Sequence, residues 1–268
     1  MDPRDVRDHP RYLYRVLTRP MIFFLGLHHP SDAKHVEAPV FISVNTLKGP
    51  KGRRAPFTSG TWIMDSGAFT TIKLHGGYPH PVEEYAEHIR KWRNRGALVA
   101  AVAQDFMCEP VMLDRTGLTV ADHQRLTIER YDALLACDTG GVYIMPVLQG
   151  FTPEEYVAHL RAYGSRLARG AWVGVGSVCK RNSKPREIER VLVAIKRERP
   201  DLNLHGFGLK ITALKSPLVW DCLYSADSMA WSYAARRQGR NGNDRREGIA
   251  FAERIAAGPA QGELVGAA

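Results

Sequence analysis

Three aspartates and a glutamine stand where short apolar runs stop. Trp62-Ile63-Met64 ends in Asp65-Ser66-Gly67-Ala68-Phe69, Val99 to Ala103 in Gln104-Asp105, and Val142 to Leu148 in Gln149-Gly150. Two further runs end alike, Trp172-Val173 in Gly174-Val175-Gly176-Ser177 and Cys222-Leu223-Tyr224 in Ser225-Ala226-Asp227-Ser228. Carboxylates serve as nucleophile, acid or base, and a glutamine amide both donates to and accepts from a heterocycle edge. Asp227 suits attack at a sugar carbon. The backbone N–H groups of Gly174 to Ser177 suit a carbonyl oxygen or an anion, and Phe69 offers a flat face for stacking a base. Each residue also has a plainer use: Asp65 or Asp105 as a helix or turn cap, Gln149 as a turn residue. Their recurrence at successive strand ends favours a shared site. His28-His29 reads as loop rather than a metal pair. Cys179 beside Lys180 has no partner histidine placed by sequence. His205 ends a strand, either lining the pocket opposite Phe69 or sitting in the core.

The elements that must hold these residues alternate. Strands are expected near 21–27, 40–44, 61–64, 98–103, 142–148, 172–175, 202–207 and 223–226. Between them, 81–95 carries Val82, Tyr85, Ile89 and Trp92 at helical spacing, and 120–135 repeats the pattern. Thr152-Pro153-Glu154-Glu155 is a capping box with proline at the first helical position, opening a helix to about 167. Helices over 185–197, 217–221 and 247–256 continue the alternation. Eight strands alternating with helices over 268 residues predict an α/β protein, a compact (β/α)8 TIM barrel. An open doubly wound sheet is the runner-up, without a GxGxxG to support it. The whole chain, 1–268, reads as one domain with an N-terminal arm over 1–20 and a frayed tail over 258–268.

Composition narrows the class. No apolar run is long enough to span a bilayer, and the charged N-terminus has no signal core, so a reduced cytoplasmic compartment is expected. The four cysteines are scattered with no CxxC, indicating neither disulfides nor zinc, and no cofactor is expected. Net charge is +9, from 37 Lys and Arg against 28 Asp and Glu. The excess clusters in 48–54, 180–186 and 236–246, with Lys180, Arg181, Arg236, Arg237 and Arg240 as phosphate-binding candidates. Basic patches following strand ends are the footprint of a nucleic-acid enzyme.

As a set, these motifs resemble the tRNA-guanine transglycosylase family. Asp65 to Phe69 is similar to its DSGG-aromatic motif, Gln104-Asp105 with Cys108 to its base-binding aspartate segment, and Leu148-Gln149-Gly150 to its VQGG. His205-Gly206-Phe207-Gly208 resembles the G-x-G before the nucleophile strand, Asp227 to Trp231 the nucleophile run, and Arg240-Asn241-Gly242 a basic RNG. The resemblance implies a TIM barrel that exchanges guanine for a 7-deazaguanine such as preQ0. Asp227 would attack C1′ and Asp65 would act as general acid and base. Ser66, Asp105, Gln149 and the Gly176-Ser177 backbone would read the base, sandwiched by Phe69 and His205. The family's zinc subdomain has no counterpart here. A compact zinc-free chain resembles the DNA-modifying DpdA-type branch, which implies DNA as substrate and partner proteins of a DNA-modification system. A tRNA transglycosylase, a glycosidase using the same aspartates, or a non-catalytic nucleic-acid-binding subunit are the alternatives.

Overall fold

The computed structural model describes residues 21–48, 57–181 and 183–258, with the backbone alone at 180. The expected arm, most of the basic run over 48–54 and nearly all of the tail lie outside the described residues. Nine strands form one sheet: β1 (Ile22–Gly26), β2 (Val40–Ser43), β3 (Thr61–Asp65), β4 (Ala97–Val102), β5 (Ile144–Met145), β6 (Val147–Leu148), β7 (Trp172–Val175), β8 (Asn203–Gly206) and β9 (Leu223–Ser228). Their order is β5-β4-β3-β2-β1-β9-β8-β7-β6, and every pairing is parallel.

β5 and β6 are two halves of the expected 142–148 strand, split at Pro146, whose nitrogen has no hydrogen to give a ladder. β5 pairs with β4 and β6 with β7. The two halves therefore bring the ends of the sheet together, and the strands make a nearly closed TIM-like barrel. Pro146 still contributes as acceptor, taking Gly174 N–H at 2.8 Å.

Side-chain alternation sorts the strands into two cores. Phe24, Phe41, Ile63, Ala100, Val102, Met145 and Val147 fill the barrel interior, with Ile22, Trp172 and Phe207 against them. Phe23, Leu25, Ile42, Trp62 and Met64 point outward into the layer shared with the helices. On β3 the inward phase that carries Ile63 reaches Asp65 next, and on β9 Ser225 and Asp227 share one phase.

The helices are α1 (Val44–Lys48), α2 (Ala68–His75), α3 (Val82–Trp92), α4 (Pro110–Thr116), α5 (Val120–Leu135), α6 (Pro153–Tyr163), α7 (Pro185–Glu198), α8 (Ile211–Leu214), α9 (Pro217–Cys222), α10 (Ala230–Arg237) and α11 (Arg245–Ala256). The capping box at Thr152 is formed, with Thr152 N–H donating to Glu155 Oε2 at 2.9 Å and Glu155 N–H to Thr152 Oγ at 3.3 Å. α6 stops at Tyr163, short of the expected 167, because a 3-10 turn over Gly164–Arg166 follows. α1, α2, α4, α8 and α10 were not expected. Each has at most eight residues, too few for a helical period to stand out.

Candidate active site

The strand ends deliver the carboxylates to one mouth of the barrel. Asp65 closes β3 beside Ser43 of β2, its register partner. The Ser43 side chain and the backbone of Ser66 and Gly67 interact with its carboxyl. Burial lifts it from the ordinary carboxylate range to about 6, against the pull of the Ser43 hydrogen bond and with the Asp227 charge adding to the rise. Gly67, at φ 71°, then opens α2. A Cβ at Gly67 would collide with the Asn45 amide, whose Nδ2 donates to Gly67 O at 3.2 Å. Phe69 follows in the first turn and is 40% exposed.

Asp105 lies in an irregular segment after β4 that a neighbouring helix and loop tie down at nearly every residue. Arg130 of α5 donates to Gln104 Oε1 at 2.5 and 3.0 Å. The Tyr78 hydroxyl donates to Asp105 O at 2.9 Å, and Phe106 N–H to Thr127 Oγ at 2.9 Å. His123 Nδ1 lies 2.7 Å from Met107 O. Burial raises the Asp105 carboxyl to about 7, opposed by the hydrogen bond from Gln149 and reinforced by the charge of Asp65.

Gln149 faces Asp105. Its Nε2 donates to Asp105 Oδ2, and its Oε1 accepts from the Ser177 hydroxyl at 2.7 Å. A carboxylate beside one end of the amide and a hydroxyl at the other leave one consistent amide orientation. The backbone of Gln149 is held too: its N–H donates to His159 Nδ1 at 2.8 Å, and Gln124 Nε2 donates to its carbonyl at 2.8 Å. Burial lowers the His159 imidazole to about 4, so it stays neutral and can accept that N–H. Gly176 must be glycine, since a Cβ there would occupy the Gln149 amide.

Asp227 ends the arc, 5% exposed. Its Oδ1 accepts from Gly208 N–H at 3.1 Å and lies 3.2 Å from His205 Nε2. Gly208, at φ 63°, turns the chain after β8 so that this N–H points at the carboxylate. The expectation that His205 stacks on a base does not fit its place. The ring is fully buried, stacked on Phe41 at 5.7 Å and edge-on to Phe207 at 4.8 Å. Its Nε2 meets the Asp227 carboxylate, and no part of the residue is exposed.

Asp65, Ser66, Phe69, Asp105, Gln149, Gly176, Ser177 and Asp227 thus gather at one mouth. The basic candidates divide. Arg181 is only 6% exposed, its Nη2 donating to Phe151 O and its guanidinium lying 4.5 Å over the Phe151 ring. Arg240 is paired with Glu247 at 2.5 Å. Arg236 donates to Ser232 at 2.5 Å while remaining exposed, Arg237 is exposed, and the Lys180 side chain lies outside the described residues. Sequence reasoning missed Ser43, Ser225 and Trp172. Their inward strand phase was the available signal, since Ser225 lies two residues before Asp227. Among the described residues no cluster of three or more His, Cys, Asp or Glu could hold a metal ion, and no helix is long and apolar enough to cross a membrane.

No curated protein matches the chain. Over residues 20–247 the sequence matches the family model of DpdA, DeoxyPurine in DNA protein A, and the chain belongs to that family.

Proposed function

We propose that the protein is a transglycosylase that replaces guanine in DNA with a 7-deazaguanine base through a covalent aspartyl–sugar intermediate. Membership in a family named for deoxypurines in DNA supports DNA as the substrate. The observation that carries the chemistry is the pairing of a fixed carboxylate, Asp227, with two carboxyls, Asp65 and Asp105, that titrate near neutrality. An acid–base group works best with a pKa near the working pH.

In this reading Asp227 attacks C1′ of the target nucleotide. The new C1′–O bond forms as C1′–N9 breaks, its electron pair leaving with the guanine, and Asp65 supplies a proton to the departing base. The incoming 7-deazaguanine then gives its N9 proton to Asp65 as N9 attacks C1′, and Asp227 is freed. Asp105, Gln149, Ser66 and the Gly176-Ser177 backbone read the base edge, and Phe69 stacks on its face. In the free protein Asp105 and Gln149 satisfy each other, so a purine must take over hydrogen bonds that they now share.

The test is adduct trapping. Incubated with DNA, the protein should form a covalent complex that maps to Asp227 and is absent from Asp227→Asn, and labelled 7-deazaguanine should enter the DNA. An adduct on another residue, or one undiminished in Asp227→Asn, would overturn the assignment.

A further inference from the structure

A single file of hydrogen bonds runs through the barrel interior to Asp227. Trp172 Nε1–H of β7 donates to Ser225 Oγ of β9 at 2.8 Å. Ser225 Oγ lies 2.8 Å from His205 Nδ1, and His205 Nε2 lies 3.2 Å from Asp227 Oδ1. Ser225 and His205 are fully buried. The file exists because of a register shift in the β8–β9 pairing between Leu204 and His205, which sets His205 opposite Ser225 instead of Tyr224.

The chemistry of the two ends gives the file a direction. An indole N–H only donates, and a carboxylate only accepts. The Ser225 oxygen receives the Trp172 hydrogen and turns its own toward Nδ1. The imidazole then carries its hydrogen on Nε2, aimed at Asp227. Phe41 stacked on one face, with Phe207 and Phe24 set edge-on, prevents the ring from turning over.

We infer that Trp172 and Ser225 hold His205 as the Nε2–H tautomer, and that His205 is the positioning residue of the Asp227 nucleophile. Together with Gly208 N–H, His205 commits Oδ1 and leaves Oδ2 as the attacking oxygen. When the aspartyl–sugar bond later breaks, the same two donors favour the returning carboxylate. The inference rests on the reading of Asp227 as nucleophile, but the tautomer itself does not.

The experiment therefore has two readouts. In free protein labelled with 15N-histidine, His205 should show a hydrogen on Nε2 and a bare Nδ1, and Ser225→Ala should abolish that preference. In single-turnover trapping with DNA, Ser225→Ala and Trp172→Phe should slow adduct formation about 10- to 100-fold, the scale of a lost hydrogen bond to a charged group, with DNA affinity unchanged. His205→Gln, whose amide can still donate to Oδ1, should keep more activity than His205→Leu. A hydrogen on Nδ1 in the wild type, or Ser225→Ala reacting at the wild-type rate with its tautomer intact, overturns the inference. An adduct that survives Asp227→Asn instead removes the nucleophile reading, and the tautomer result then stands or falls separately.

Discussion

The Ser177 hydroxyl donates to Gln149 Oε1 at 2.7 Å from a backbone held at φ 57°. Among the described residues Ser177 is the one non-glycine with positive φ. A left-handed conformation costs an L-residue about 1–2 kcal/mol, and such strain gathers at functional sites. The hydroxyl also accepts Cys108 N–H at 3.1 Å, so one side chain joins the β7 end to the segment bearing Asp105. Ser177→Gly should relieve the strain, and Ser177→Ala should keep it. Both lose the hydrogen bonds and should exchange base more slowly. Chemical denaturation should find the glycine variant the more stable by about 1 kcal/mol; equal stabilities would mean the backbone is not strained.

Asp65 and Asp105 make folding stability fall as pH rises. Both carboxyls are raised in the folded protein, to about 6 and about 7, above their ordinary values. The unfolded chain releases these protons first, so the folded state is favoured below about pH 4 and loses that advantage as pH climbs through about 7. Asp105→Asn, which still offers Gln149 an oxygen, should be more stable than wild type at pH 8 by about 2–4 kcal/mol. The difference should close near pH 4. Denaturation midpoints measured across that range check it, and a gain that grows in acid would reverse the sign.

Much of this site was legible because chemistry-bearing residues fall at strand ends in a fixed order, and a parallel barrel has one edge where such ends meet. The eight-strand count survives because the 142–148 run occupies one place in the barrel, although Pro146 divides its hydrogen bonding. His205 shows what single residues conceal. Its type and its strand-end position fit a pocket wall as well as a buried partner, and the decision lay in Phe41, 164 positions earlier in the chain. Arg181 shows the same for charge. A basic run reads as exposed, yet the exposed Phe151 ring and carbonyl draw this guanidinium inward. The segment after β4 has no period at all, and its order comes from Tyr78, Thr127 and Arg130, which sequence spacing does not connect to it.

The basic patch near α10 should act unevenly on DNA affinity. Each phosphate contact contributes about 0.9 to the slope of log affinity against log salt. Arg237 is exposed at the end of α10, whereas Arg240 already faces the Glu247 carboxylate. Arg237→Ala should therefore lower the slope by about one, and Arg240→Ala by less. Titrations at several salt concentrations decide it. Identical slopes in wild type and Arg237→Ala would leave that arginine as ordinary solvated surface.

On the proposed exchange reaction, a guanine inside a duplex cannot reach Asp227. The carboxylate is 5% exposed and lies within the barrel mouth, between the β8 turn at Gly208 and the strand ends bearing Asp65 and Asp105. The target nucleotide must leave its stack, which costs a few kcal/mol in paired DNA and less at a mismatch or in a single strand. Phe69, 40% exposed at the rim, can return part of that cost by stacking on the extruded base. Exchange should accordingly be faster in single-stranded or mismatched DNA than in a matched duplex of the same sequence. Phe69→Ala should slow exchange on matched duplex more than on single strands, because only the former depends on stabilising an extruded base. Measured exchange of labelled guanine into matched duplex, mismatched duplex, single-stranded DNA and tRNA separates the cases. Equal rates on all DNA forms would remove extrusion as the barrier. A rate on tRNA well above every DNA form would move the substrate to RNA while leaving the Asp227 chemistry in place.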